Sequence, residues 1–186
     1  MTTDLETLRV DAAERGKWNI GFFAAGAVFW IAATVIGVAV ELSQARILWI
    51  VGTFLILPVA VLFSRLFGAD PFTKGNPLGE LVGYTHMSVV AMMAPIVIGC
   101  AIVHPEALLL VMAIAYCLDF YVMSWAFGSR VFGVHAAVRV VSVSLIWFAA
   151  PEWRVSVLPA WVAALYLATV LVLPVLRRRW LARRRR

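Results

Sequence analysis

Residues 81–103 read LVGYTHMSVVAMMAPIVIGCAIV, a run that no lysine, arginine, aspartate or glutamate interrupts. Wound as an α-helix at about 1.5 Å per residue it reaches about 35 Å, enough to cross the ~30 Å hydrocarbon core of a bilayer. It is too long for an ordinary strand, and it lacks the apolar/polar alternation of a barrel strand. The stretch therefore predicts a membrane-spanning helix.

The same pattern recurs on both sides of it. Apolar runs over 19–40, 47–63, 107–127, 131–149 and 155–176 bring the count to about six, each ended by charges or turn residues. Composition agrees: 63% of the 186 residues are hydrophobic and 14% charged, against about 25% charged in soluble domains. Mean hydropathy is +0.94. The expected fold is an all-α integral membrane protein, a bundle of about six transmembrane helices. Residues 1–18 are expected to form a leader, 19–176 the membrane domain with a connector over 64–80, and 177–186 a basic tail.

Arginine and lysine set the expected orientation, because short loops rich in them stay in the cytoplasm. Thirteen of the sixteen lie in the leader, the second and fourth connectors and the tail; Arg46 and Arg154 lie on the other side, and Arg139 falls inside a span. Both termini are expected to be cytoplasmic. Trp18, Trp125 and Trp180 then fall near the inner boundary and Trp49, Trp147 and Trp153 near the outer one, as an aromatic belt requires. Trp30, in mid-span, is expected to pack in the interior.

The leader carries Asp4, Glu6, Asp11 and Glu14, unlike the acid-poor start of a secretion signal, and is expected to be retained. Thr3 and Glu6 have capping-box spacing, and Leu5, Leu8 and Ala12 share one face, which predicts a short amphipathic helix at the cytoplasmic surface. The tail arginines are expected to hold anionic headgroups at about 1 kcal/mol each. Without a folded module or interleaved aromatics, they do not predict nucleic-acid binding. Gly21 and Ala25, and Ala33 and Gly37, place small residues four apart on the first span. Close packing within the chain is the favoured reading, and an oligomer is not indicated. Cys100 and Cys117 differ in depth by roughly 10 Å, which predicts two free thiols.

The second connector is built to hold a shape. Asp70-Pro71 and Asn76-Pro77 each put a capping side chain before a proline suited to a first helical position, which predicts a short helical turn and then the start of the third span. Asp70, Lys74 and Asn76 are the candidate loop residues, and the third-helix start could attract an anion.

Arg65-Leu66-Phe67, Asp70, Phe72, Lys74 and Asn76-Pro77-Leu78, following a span with Gly21-Phe22-Phe23, Gly26 and Phe29-Trp30, resemble a family of small bacterial polytopic inner-membrane proteins with a domain of unknown function. The match covers roughly the first half of the chain. It implies a bacterial inner-membrane protein and carries no activity to transfer.

Ionisable groups inside spans are the sharpest functional pointers in a membrane sequence, since centring a charge costs at least about 2.5–3.5 kcal/mol. Four qualify: His86, Asp119, His135 and Arg139. Glu80, Tyr84 and Ser88 form a second polar stripe on the third span. Asp119 and Arg139 lie equally far from the tight connector Gly128-Ser129-Arg130, which predicts that they face each other as an ion pair. Three functions follow, in order of preference: a structural lock, a small-solute or proton-coupled transporter, and a membrane-embedded enzyme. No HExxH or GxSxG motif occurs, and neither a cofactor nor a metal is expected.

Overall fold

The structure is a computed structural model that describes residues 4–184. The chain is an all-helical integral membrane protein with six spans long and apolar enough to cross a bilayer. A leader helix α1 (Leu5–Arg15) precedes α2 (Ile20–Ala39), α3 (Leu42–Leu66) and α4 (Pro77–Val103). The fourth span is two pieces, α5 (Leu108–Ala115) and α6 (Phe120–Ala126), followed by α7 (Val131–Ala149) and α8 (Val157–Arg184). Helix α2 packs along both α3 and α8, while α7 meets α5, α6 and α8. The broken fourth span is the most enclosed of the six and α4 the least.

Small residues let the backbones meet. At Gly21 an added Cβ would lie 2.1 Å from Ser64 Oγ and 2.5 Å from the Ser64 backbone nitrogen, so the small-residue stripe of the first span serves contact with α3 inside the chain.

The tryptophan belt holds only in part. Trp125 and Trp153 are exposed, but Trp18 and Trp49 are each 1% exposed. Trp49 Nε1 donates to Ala33 O at 3.0 Å. Trp18 stands edge-on between Phe132 and Trp180. It gets there because Lys17, Trp18 and Asn19 all take left-handed φ values of 46°, 55° and 54°. Such a run is strained in L-residues, and it turns the leader back beneath the bundle.

The leader forms the expected short helix and packs against the ends of α4 and α8. Ala12 and Ala13 are fully buried, and Asp4 rather than a side-chain capping box starts α1. Thr3 lies outside the described residues. Arg9 donates to Trp125 O at 2.8 Å, and Arg15 donates to Asp70 Oδ2 at 2.8 Å and to Lys74 O at 2.7 Å. The tail continues α8 rather than forming a separate segment. Arg177 donates to Ala13 O at 3.0 Å, Trp180 Nε1 to Gly128 O at 3.1 Å, and Arg184 pairs with Glu6. Arg185 and Arg186 lie outside the described residues.

The connector is ordered as expected, with one difference: residues 71–74 form bends and turns, not helix. Asp70 instead accepts the amides of Phe72, Thr73 and Lys74. Asn76 caps α4, accepting Leu78 N at 2.9 Å and Gly79 N at 3.3 Å with Pro77 following it. Its Nδ2 donates to Leu8 O and Asp11 Oδ2, both at 2.8 Å. Because Asn76 already takes those amides and Glu80 Oε1 takes Gly75 N at 2.8 Å, the α4 start has no anion site of the kind the sequence suggested.

Partial burial pushes the Asp70 carboxyl up, but the Arg15 hydrogen bond and the Phe72 and Thr73 amides outweigh it and hold the group below its ordinary value. A depressed carboxyl contributes stability that is complete above the ordinary carboxylate range and is lost as pH falls through the lowered value. Hydrogen exchange in α1, corrected for intrinsic rate, is therefore expected to accelerate on acidification before exchange in the spans does. Asp70→Asn should loosen α1 at neutral pH and flatten part of that response. An α1 equally protected in the variant and wild type would remove Asp70 from the account.

Candidate functional site

The break in the fourth span organises the interior polar groups. From Tyr116 to Asp119 the i→i−4 ladder gives way to tighter bonds: Cys117 N to Ile114 O and Leu118 N to Ala115 O, each 3.3 Å, and Phe120 N to Cys117 O at 3.2 Å. The span was expected to be one helix, and apolar length alone says nothing about hydrogen-bond continuity. Asp119 was the available signal, because aspartate favours helix starts over interiors. It occupies the cap position of α6 yet makes no side-chain cap, since its carboxylate is drawn sideways to α4. Irregular backbone at this depth is tolerated when protein covers it, and Tyr116, Cys117 and Asp119 are buried.

Asp119 meets a histidine, not the expected arginine. His86 Nδ1 lies 2.7 Å from Asp119 Oδ2, with side chains 18% and 1% exposed. With the acid ionised, the Nδ1–H donates a charge-assisted bond. Phe22 stands edge-on to the His86 ring at 5.2 Å. Asp119 Oδ1 has no hydrogen-bond partner among the described residues. Beside it is a cavity of about 30 Å³ walled by Trp30, Thr53, Val82, His86, Asp119 and Tyr166. That is room for one or two waters.

Arg139 forms a second centre. It is fully buried, donates Nη1 to Tyr166 Oη at 2.7 Å, and sets its guanidinium 5.3 Å from the Trp30 ring and 5.1 Å from the Tyr166 ring. The predicted Asp119–Arg139 contact is therefore replaced by two centres flanking Tyr166, which lines the cavity and accepts from Arg139. Equal depth fixed their position along the helices but not their rotation about the helix axes. His135, on the Arg139 face of α7, hydrogen-bonds Thr169 Oγ1 at 2.7 Å among Phe23, Phe120 and Tyr166. Arg139 Nε and Nη2 and His135 Nε2 are buried without partners among the described residues.

The second stripe points away from this interior: Tyr84 is 67% exposed and Ser88 is exposed. Glu80 holds the connector, and Lys74 is exposed there. Both cysteines are free thiols. Among the described residues no three His, Cys, Asp or Glu side chains converge as a metal site. The interior prolines Pro58 and Pro95 sit on exposed faces of unbroken α3 and α4.

A family model matches residues 5–175, from the start of α1 to the last apolar turns of α8. The chain belongs to DUF7010, a family of unknown function. The DUF7010 match extends well past the first half, over which the quoted residues carried the resemblance, and takes in His86, Asp119, His135 and Arg139. No curated protein and no solved structure matches the chain.

Proposed function

We propose that this DUF7010 protein is a transporter of a small solute in a bacterial inner membrane, with both termini cytoplasmic and the His86–Asp119 pair as its binding site. One observation carries the reading. The stretch Tyr116–Asp119, where the fourth span tightens from i→i−4 to i→i−3 bonds, borders a cavity that contains a buried carboxylate with one oxygen left over. Discontinuous helices and intramembrane carboxylates are how many transporters build their sites. The arginine bias supports the orientation, and the resemblance described above supports the bacterial inner membrane. The tail arginines beyond Arg177 suit anionic headgroups.

The structural-lock reading keeps part of the cluster. Arg139 with Tyr166 and Trp30, and His135 with Thr169, form a brace held by one hydrogen bond at each centre and the aromatic faces around Arg139. The lock then belongs to α7 and α8, and the transport site to α4 and the fourth-span break. The enzyme reading gains no converging set of three metal ligands among the described residues.

Single cysteines at positions 82, 119, 135 and 139, in a chain with Cys100 and Cys117 replaced by serine, test this division. In native membranes, when the transport cycle opens the site to the cytoplasm, an impermeant maleimide is expected to label 82 and 119 from that side, and to leave 135 and 139 protected. Protection at all four positions would reject the transport reading; labelling of 119 from the external side only would reject the orientation.

A further inference from the structure

We infer that the site takes a membrane-dissolved primary alkylammonium, which reaches Asp119 sideways from the bilayer through a groove between α3 and α4. The inference deepens the transport reading and rests on its choice of site.

A groove of about 240 Å³ runs between Thr53, Phe54, Leu57, His86, Met87 and Ala91. Phe54 is 61% and Met87 48% exposed on the outer face of the bundle. Both residues fall near the middle of their spans, so the mouth opens into hydrocarbon rather than water. Thr53, Ile56, His86 and Val90 line both the groove and the inner cavity. These side chains form a wall shared by the lipid-facing groove and the cavity beside Asp119.

The chemistry behind that wall selects the ligand. Asp119 Oδ1 is buried and has no partner, and an ionised carboxylate oxygen only accepts hydrogen bonds. Its charge, in a poorly screened interior, repels an anion and attracts a cation that carries N–H groups. Phe22, Tyr116 and Phe120 also line the cavity, and aromatic faces favour cations. A bare metal ion would lack ligands, since the described residues offer no converging set of three, and it would have no route through an apolar groove.

Size narrows the choice further. The inner cavity of about 30 Å³ holds groups of about the size of one or two waters. An –NH₃⁺ head fits that space. A trimethylammonium head does not fit without displacing its walls. The apolar chain of the ligand then lies in the groove.

The test is a tryptophan-fluorescence titration of the full-length protein in lipid nanodiscs with n-octylammonium, octyltrimethylammonium and octanoate. Octylammonium is expected to bind saturably, with the other two weaker by about tenfold or more, the scale of one charged hydrogen bond. Asp119→Asn should weaken octylammonium by a similar factor. Ala91→Phe, which fills the groove without touching Asp119, should also weaken it, so the inference remains testable if the first variant fails to fold. Equal affinity for octyltrimethylammonium, tighter octanoate, or unchanged binding in the Ala91→Phe protein would each overturn the inference. If octylammonium binds as described but proteoliposomes move no amine, the transport reading falls and the ligand class stands. If position 119 is reached by maleimide yet octylammonium does not bind, the ligand class falls and transport stands.

Discussion

Arg139→Gln is expected to cost about 2–4 kcal/mol of stability, the scale of one hydrogen bond from a charged group together with desolvated cation–π contacts. Wild-type Arg139 is fully buried, bonds Tyr166 at 2.7 Å and covers two aromatic faces. Each desolvated cation–π contact is worth up to about 2 kcal/mol, and glutamine reproduces neither. The fraction of monodisperse protein and its thermal midpoint should both fall. Arg139→Lys should recover part of the loss by keeping the charge without the planar stack. Adding Asp119→Asn should restore little, because the missing contacts are to Tyr166 and Trp30. A full rescue by that second change would mean that Asp119 and Arg139 act as the direct pair their spacing suggested. A wild-type midpoint in Arg139→Gln would remove the brace altogether.

Gly21→Val is expected to lose most folded protein. Any Cβ at Gly21 would sit 2.1 Å from Ser64 Oγ and 2.7 Å from Ser64 Cα, and a helix backbone cannot swing aside as a flexible side chain can. Overpacking usually costs about 1–3 kcal/mol, and this case lies at or beyond the upper end because α2 must move off α3 along their shared seam. Ser64→Gly alone should be tolerated and should not rescue the valine, since the Ser64 backbone remains in the way. Normal yield and midpoint for Gly21→Val would show that the two helices do not meet so closely. The damage should extend to the site, because Phe22, Phe23 and Gly26 on α2 line the cavity wall opposite Asp119.

The sequence by itself determined the solvent, the number of spans, the cap at Asn76, and which ionisable residues fall within the apolar runs. These are one-dimensional properties. Hydrocarbon demands long uncharged runs, and a helix start needs an acceptor such as the Asn76 side chain for its free amides, so both appear as local patterns along the chain. The intraspan positions of His86, Asp119, His135 and Arg139 were legible for the same reason: an ionisable group inside an apolar run stands out whatever it touches. Tertiary structure alone decided the pairings. Asp119 bonds His86 rather than Arg139, because the tightened turn at Tyr116–Asp119 aims the carboxylate at α4 while the face of α7 bearing Arg139 meets Tyr166 and Trp30. It also decided that α1 closes one end of the bundle, through three consecutive left-handed residues that no composition announces. Counting residues from a turn gives depth, but the rotation of each helix about its axis follows from how whole surfaces interlock, and that information is spread over every neighbour at once.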